Sequence, residues 1–374
     1  MTALSRADNS GFARWWWTID RVAFVGMLGL MAIGLVLAFA ASPTATGNAA
    51  SAGNFSFALK QVAFAATAVG ILIGTSMLNS GTARIVAASV FGLALIGAWL
   101  ALVSGVDING AHRWLELGGL TLEPSEFLKP AFAVLAAAFL ADKLKHGFPG
   151  EMVTIALVAP ALVILLLQPD VGQTLLLSTL CVVMLFLAGL AYYWLAALGA
   201  GGAALAVFAY FLHPHVRERV TQFFHEGPGY QTGLALQAFE AGGVTGVGPG
   251  AGSVKFRLPD AHTDFIFAVA GEEFGIALCI LIALLFGLVT IRLLLRAAKA
   301  RDCFAQLAAS GLALVVGLQA FINMGVSLSI LPAKGMTLPL ISYGGSSLFA
   351  VALTLGLALG LTRHRPALSE EIAR

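Results

Sequence analysis

The sequence predicts an all-α polytopic membrane protein with about ten transmembrane helices and one long extracytoplasmic loop between the seventh and eighth helices. Three observations predict this fold class. Hydrophobic residues make up 59% of the 374 positions. Charged residues make up only 11%, whereas soluble proteins carry about 25%. Apolar runs of about 20 residues, the length that crosses a bilayer as a helix, recur along the chain. An ordinary water-soluble enzyme is therefore excluded.

Ten apolar runs lie between polar breaks, and each is predicted to form one helix. The runs are 20–42, 56–78, 83–104, 125–142, 151–168, 172–190, 191–212, 265–291, 304–330 and 338–362. The sixth and seventh runs meet near Ala191 with almost no polar break, so an odd number of spans stays open. The three cysteines fall within or beside these runs and are interpreted as small buried hydrophobic residues.

Loop charges orient the chain, because Lys and Arg are retained on the cytoplasmic side of a membrane. They are more numerous on the side of the N-terminus, which predicts a single integral membrane domain over 1–374 with cytoplasmic tails at 1–19 and 363–374. The first run is too long for a signal peptide and is interpreted as a retained anchor, with Trp15 to Trp17 at the interface. Most acidic residues fall on the outer side. The functional face is therefore predicted to be extracytoplasmic.

The longest connection, 213–263, contains enough aromatic and apolar residues to predict short interfacial helices near 216–224 and 230–241. Its glycine-rich part, 246–252, resembles a phosphate-binding loop only weakly, because no lysine directly follows the last glycine. We interpret it as a hinge, with approach of its amides to a substrate phosphate as the alternative.

His262, Thr263 and Asp264 stand at the mouth of the eighth run. On a continuous helix Asp264 and Glu272 would share one face, about 12 Å apart at 1.5 Å per residue. An ionisable group at membrane depth is a candidate functional group unless a partner or a cavity satisfies it. Two interpretations of Asp264 stay open, a site carboxylate and the N-cap of the eighth helix.

Glu126 and Lys129 are three residues apart at the start of the fourth run and are therefore neighbours on a helix. Pro130 removes a backbone donor and is expected to bend the helix there. A lysine that does not reach the surface needs a counter-ion. Either Asp264 from across the bundle or Glu126, in a purely structural pair, could supply it.

Two further segments interrupt the apolar pattern. Residues 168–174 form a tight outer hairpin in which Asp170 is either a helix cap, the simpler interpretation, or a site residue. Residues 331–347 bring two prolines and several glycines to the start of the last run. Irregular backbone at membrane depth is tolerated only where protein or water satisfies it, so this segment is expected to line a cavity.

Together these motifs resemble the SEDS (shape, elongation, division, sporulation) family of membrane proteins, and the resemblance runs from the first span to the last. In chain order the motifs are Gly110 to Leu115, Pro124 to Lys129, Gln168 to Asp170, Ala261 to Glu273, and Pro332 to Ser347. Lys334 and Thr337, in the last motif, are typical of the division branch of the family.

The resemblance implies a peptidoglycan glycosyltransferase that polymerises lipid II into β-1,4 glycan strands at the outer face of the inner membrane during septal cell-wall synthesis. An α-linked donor and a β-linked product require inversion, hence a general base and no covalent intermediate. The family's essential aspartate falls in the motif of Asp264, the expected base. Lys129, the second expected catalytic residue, would either orient and charge-balance Asp264 or contact the diphosphate. The expected substrate-binding residues are Arg113, Glu126, Asp170, His262, Thr263, Glu272, Lys334, Ser342 and Tyr343.

The same resemblance implies partners. They are lipid II, a class B penicillin-binding protein transpeptidase and other division proteins, but no nucleic acid. Small-residue faces near 311–317 or 356–360 are candidate contacts for the transpeptidase helix. A divalent cation, Mg²⁺ or Mn²⁺, could share stabilisation of the diphosphate, although no DxD-like pair marks a site. Positive charge for the leaving group is expected from Arg113, Arg217, Arg219, Lys255, Arg257 and Lys334.

Two alternatives from other functional classes stay open. One is a lipid II flippase, because transporters carry broken helices near the middle of the membrane and this chain has intramembrane acids, Glu272 and Glu273. A scaffold that only recruits a transpeptidase would need neither feature.

Overall fold

The computed structural model describes residues 10–42, 56–108, 111–118, 120–212, 229–332 and 335–363, and in them the chain is a bundle of long helices with one small sheet. The α-helices are α1 Gly11–Thr18, α2 Arg21–Ala41, α3 Ser56–Ser76, α4 Ser80–Ser104, α5 Ser125–His146, α6 Gly150–Leu167, α7 Val171–Leu187, α8 Tyr192–Leu212, α9 Tyr230–Gly242, α10 Ile266–Ala298, α11 Cys303–Ser327 and α12 Gly345–Leu361. The strands are β1 Val106–Ile108, β2 Ala111–Leu117 and β3 Leu120–Leu122, and a 3-10 helix spans Val254–Phe256.

The described helices confirm a membrane protein. Six of them, namely α2, α3, α4, α6, α10 and α11, are long and apolar enough to cross a bilayer, and α7 and α12 are shorter apolar helices. Each of the ten predicted runs overlaps one helix of at least 17 residues, and the count of ten spans stays a prediction. The junction near Ala191 is a true break, because α7 ends at Leu187 and α8 begins at Tyr192. The last run differs most, since its helix begins only at Gly345 and the residues before it are irregular.

The predicted long loop is only partly described. Its second predicted helix, 230–241, is present as α9. The first, 216–224, lies outside the described residues.

The all-α prediction is wrong between α4 and α5, where β1, β2 and β3 form an antiparallel sheet. Glu116 of β2 faces Thr121 of β3, and Gly118 in the turn between them has a φ of 59°, which glycine adopts without a steric cost. The sheet is tied to the start of α12, because Ser346 Oγ accepts from Glu123 N (3.0 Å) and donates to Thr121 O (3.2 Å).

The N-terminal segment is not simply a tail. Within the predicted tail, 1–19, α1 packs against the bundle: Trp15 is buried, and its Nε1 donates to Ser76 Oγ (2.7 Å). Trp15 therefore packs inside the bundle, and the location of the three tryptophans at the membrane interface stays a prediction. Trp17 remains 36% exposed.

Three helices, α5, α11 and α12, form the buried centre of the bundle, and small residues let their neighbours approach closely. A Cβ at Gly356 of α12 would lie 2.6 Å from the carbonyl oxygen of Leu72 in α3, and one at Gly311 of α11 would lie 2.5 Å from Met184 Sδ in α7. These glycines pack against the protein's own helices. The sequence prediction that these glycines contact a partner helix is therefore wrong.

Helix α10 is broken at Gly275, whose φ of 76° and ψ of −178° are not helical. The loop that follows α9 fills the break. Ile276 N donates to Gly243 O (3.0 Å), while the carbonyls of Glu272 and Glu273 accept from Val247 N and Gly248 N (3.0 Å each). Protein backbone therefore satisfies the groups that the break releases, as required at membrane depth.

Candidate active site

Asp264 lies in a turn just before α10, with its carboxylate partly buried. The turn is closed by Asp260, whose φ is 54° and whose carbonyl accepts from the N–H groups of Thr263 (3.1 Å) and Asp264 (3.0 Å). The N-cap residue of α10 is Phe265, and no side chain caps this helix. The N-cap interpretation of Asp264 is therefore wrong, and its carboxylate is left for another role.

The surroundings of Asp264 favour its neutral form. Burial is the main cause that raises the pKa of the Asp264 carboxyl to about 7, and the nearby charge of Asp260 raises it further. The guanidinium of Arg113 opposes the shift, and Asp170 and Glu126 add smaller increases. Motifs far apart in the sequence thus act on one carboxyl group.

Lys129 is buried in α5 and does not pair with Asp264. Its Nζ donates to Glu126 Oε2 (2.7 Å) and to Gln319 Oε1 (2.9 Å), and Glu126 Oε1 accepts from Gln173 Nε2 (2.6 Å). Of the two counter-ions left open by the sequence, Glu126 is the one present. Buried charges persist only when paired and hydrogen-bonded, and this network satisfies both partners.

Two polar residues of α11 join the Lys129 network to the Asp264 turn. Gln319 accepts a hydrogen bond from Lys129 with Oε1 and donates one from Nε2 to Thr337 O (3.1 Å). Asn323, one helical turn later, donates from Nδ2 to Met336 O (2.5 Å) and to the backbone oxygen of Asp264 (2.8 Å). The α11 face therefore fixes the spacing between α5, the Asp264 turn and the segment before α12.

Gln319 and Asn323 were missed by the sequence reasoning, and a signal for them was available. Both are buried amides four residues apart in the mainly apolar helix α11. That spacing places them on one helical face, and a buried polar pair in a membrane span indicates a polar neighbour.

The irregular segment before α12 lies against the Asp264 turn. Ser342 Oγ donates to Thr263 O (2.5 Å) and accepts from Leu338 N (2.7 Å), and Tyr343 N donates to His262 O (3.0 Å). Two predicted site motifs are thus in direct contact. Lys334, in the same motif, lies outside the described residues.

An aromatic cluster stands beside the turn. The rings of Phe57, His262 and Tyr343 have centroids 5.3–5.8 Å apart. Burial lowers the pKa of His262, and the charge of Asp260 offsets part of that shift. The cluster therefore places three ring faces beside the Asp264 turn.

Arg113 bonds the backbone of the outer hairpin, and Asp170 in that hairpin caps helix α7. Arg113 donates from Nε to Gln168 O (3.3 Å) and from Nη2 to Pro169 O (2.7 Å), and its Nη1 lies 3.7 Å from Asp170 Oδ1. The same Asp170 oxygen accepts from Gln173 N (3.2 Å), so the cap interpretation is confirmed. Asp170 Oδ2 is buried and has no hydrogen-bond partner in the described part of the chain.

Glu272 is not placed to bind substrate, contrary to the sequence prediction. Its buried carboxylate accepts from three successive backbone amides, those of Ser253 (2.6 Å), Val254 (2.7 Å) and Lys255 (2.9 Å). Lys255 Nζ in turn pairs with Glu273. The glycine-rich loop thus gives its amides to an internal carboxylate instead of a phosphate, and Lys255 is not an outer-face charge.

Changing Glu272 to glutamine is expected to loosen this loop. An amide cannot accept from all three N–H groups, and charged hydrogen bonds are worth about 1.5–3 kcal/mol each. Hydrogen exchange of residues 243–256 should therefore become faster by at least about tenfold. Glu240→Gln, on an exposed residue of the neighbouring helix α9, is the matched control and should leave exchange unchanged. Equal protection in both variants would contradict the role of the Glu272 carboxylate in holding this loop.

Glu123, between β3 and α5, is a second carboxyl with a raised pKa. Burial, followed by the charges of Glu126 and Asp170, raises the pKa of Glu123 to about 8. In the part of the chain that the structure describes, no three His, Cys, Asp or Glu side chains group closely enough to hold a metal ion.

Comparison with known proteins identifies the family of the chain. A family model described as a cell cycle protein, covering FtsW, RodA and SpoVE, matches residues 20–366. The chain is 42% identical over 370 residues to a probable peptidoglycan glycosyltransferase FtsW of Caulobacter vibrioides, covering 97% of this chain and 94% of that protein. It is 33% identical over 370 residues to the protein of the same name from Idiomarina loihiensis, covering 95% and 89%.

Solved structures agree. A chain from a peptidoglycan synthase complex, solved in work on the coordination of polymerization and crosslinking, matches with a TM-score of 0.74 and 28% identity over 92% of this chain and 97% of that one. The rod shape determining protein RodA of Thermus thermophilus matches with a TM-score of 0.68 and 28% identity over 93% and 97%. The chain therefore belongs to the FtsW/RodA/SpoVE family of membrane proteins, the SEDS family that its sequence motifs resemble.

Proposed function

We propose that this chain is a peptidoglycan glycosyltransferase that polymerises lipid II into β-1,4 glycan strands. The observation that carries the proposal is the Asp264 carboxyl, which caps no helix and has a pKa raised to about 7. A base whose pKa lies near the working pH is best suited to remove a proton from an acceptor hydroxyl. The names of the FtsW relatives point to the same reaction.

In the proposed step, the acceptor sugar hydroxyl attacks the anomeric carbon of the donor as the bond from that carbon to the undecaprenyl diphosphate oxygen breaks. Asp264 takes the hydroxyl proton, and the diphosphate leaves with the bonding electron pair. A single displacement converts the α linkage to a β linkage. Lys129 is a positioning residue, because its network reaches the Asp264 turn through Gln319 and the backbone of the segment before α12.

The leaving diphosphate needs positive charge. Arg113 already bonds the hairpin with its side-chain nitrogens, and Lys255 is buried against Glu273. Arg257 is exposed and is the described candidate. The remaining three predicted cations, Arg217, Arg219 and Lys334, lie outside the described residues.

We further propose ten spans with both termini in the cytoplasm, the loop 213–263 outside, and Asp264 facing that side. The excess of Lys and Arg at the other end of the bundle supports this orientation. Similarity to a chain of a peptidoglycan synthase complex supports a class B penicillin-binding protein as partner, and the FtsW relatives support work at the division septum.

A pH profile tests the assignment of the base. Purified protein with its partner transpeptidase and labelled lipid II should make polymer at a rate that rises with pH through about 7, as Asp264 loses its proton. Asp260→Asn removes a negative charge that raises this pKa, so the acid limb should move to lower pH. Asparagine tolerates the positive φ at this position, so the turn should be kept. An acid limb that does not move would contradict the assignment.

The flippase alternative has lost its main support. Its motivating carboxylates, Glu272 and Glu273, hold the protein's own loop, and backbone fills the break in α10. Transport of lipid II across liposomes that survives Asp264→Ala, together with absent polymer, would favour it again. A scaffold would keep partner binding and cell growth in that variant.

A further inference from the structure

A cluster of basic and aromatic residues lies at the end of the bundle opposite Asp264. Asp20, the N-cap of α2, is 98% buried in its side chain, and one of its oxygens, Oδ2, accepts from Arg292 Nε (2.9 Å) and Arg296 Nε (2.6 Å) of α10. Two guanidinium groups therefore share one carboxylate. The cluster keeps a net positive charge.

Both arginines remain open to the surroundings. Their side chains are 40% and 39% exposed, and each uses Nε for Asp20. Among the described residues, no acceptor bonds the outer nitrogens of Arg292 or Arg296. A guanidinium group of this kind, here called a fork, binds a phosphate through two parallel hydrogen bonds, that is, in bidentate geometry. Asp20 thus holds the two guanidinium groups side by side through Nε, and their Nη atoms have no acceptor among the described residues.

The residues next to the forks are suited to lipid. Helices α2 and α10 pack closely here, because a Cβ at Gly26 would lie 3.0 Å from Val289 Cγ2. Arg21 stacks on Trp17, 4.1 Å from the ring centroid, which is an arrangement typical of the headgroup region. Exposed apolar side chains flank the contact on both helices, namely Val22, Val25, Leu288, Ile291 and Leu295.

We propose that the groove between the start of α2 and the end of α10 binds an anionic phospholipid. The phosphate would bond Arg292 and Arg296, and the acyl chains would lie along the exposed apolar side chains. Basic pockets between spans on the cytoplasmic side bind anionic head groups, and this end of the bundle is the one that the distribution of Lys and Arg places inside. The proposal does not depend on the polymerase reaction.

The test compares lipids and charges. Full-length protein in detergent is titrated with phosphatidylglycerol or phosphatidylcholine, and bound lipid is counted by native mass spectrometry. We expect selective retention of phosphatidylglycerol. The Arg292→Gln, Arg296→Gln double variant should retain it at least about tenfold more weakly, since each surface cation contributes about fivefold to anionic-lipid attraction.

The matched control is Lys143→Gln with Lys145→Gln, which removes two positive charges from α5 near the same end, where each lysine already pairs with an acid. It should retain lipid within about twofold of the wild type. Should the arginine variant fold poorly, Asp20→Ala keeps both cations but removes the carboxylate that holds them side by side. Weaker retention of phosphatidylglycerol by this variant would support the proposal, and unchanged retention would contradict it. Equal loss in both charge variants would overturn the proposal. So would competition by inorganic phosphate at the lipid's own concentration, because the acyl chains would then contribute nothing.

Discussion

Replacing Asp264 with asparagine is expected to lower the initial rate of lipid II polymerisation by about 10²–10⁴-fold, the usual contribution of a general base. Asparagine keeps the size of the side chain but cannot accept the acceptor hydroxyl's proton. The Asp264 carboxylate caps no helix, so the fold should be unchanged. The measurement is glycan chain formation by the purified protein with its partner transpeptidase and labelled lipid II.

The control for this variant is Asp260→Asn, which changes the same residue type in the same turn. At its own optimal pH it should keep activity within a few fold, because Asp260 only tunes the pKa of Asp264. Both variants should unfold at the wild-type temperature. Full polymerase activity from Asp264→Asn would sink the assignment of the base, although not the family membership.

Replacing Lys129 with alanine is expected to destabilise the protein by about 3–5 kcal/mol, because it leaves the buried Glu126 carboxylate without its cation. Gln319 would lose the same partner, and with it the link to Thr337 and the Asp264 turn. Polymerisation should fall along with stability. Thermal unfolding in detergent measures the first effect, and an unchanged unfolding temperature would show that the pair is not needed.

A double variant separates positioning from catalysis. Lys129→Met with Glu126→Gln removes both charges, so most of the lost stability should return, and a double-mutant cycle gives the coupling between the two residues. A positioning role predicts partial recovery of the rate together with stability. A stable double variant that stays as inactive as Lys129→Ala would instead indicate that the lysine touches the substrate.

The sequence located the long helices and the main site motifs because both depend on strong local signals. Apolar runs give the helices, and Asp264 and Lys129 stand out as charges in apolar surroundings. The counter-ion of Lys129 could not be chosen, because a neighbour on the same helix and an acid from another helix satisfy the same charge. Lys129 also bonds Gln319, 190 residues further along the chain, and no local pattern reports a contact of that kind.

Two errors have a common physical origin. Glu272 was predicted to share a site face with Asp264 because helical spacing was assumed to be continuous, whereas the backbone before α10 is a turn and three loop amides claim the Glu272 carboxylate. The sheet between α4 and α5 was missed because strands of three to seven residues give weak signals beside long apolar runs. Both features depend on tertiary contacts that periodicity does not report.

The break at Gly275 also bears on the level at which the proposed reaction would take place. Between the break and Arg292, which the proposed phospholipid would hold at the cytoplasmic headgroups, residues 276–291 rise about 24 Å at 1.5 Å per residue, less than the hydrocarbon thickness of about 30 Å. The nine residues before the break, 266–274, add about 14 Å, so they complete the crossing and their first turn reaches the outer headgroup layer. Under the proposed function, Asp264 would then lie at the level at which a lipid-anchored diphosphate meets water, and a sugar could react without leaving its lipid or entering the hydrocarbon.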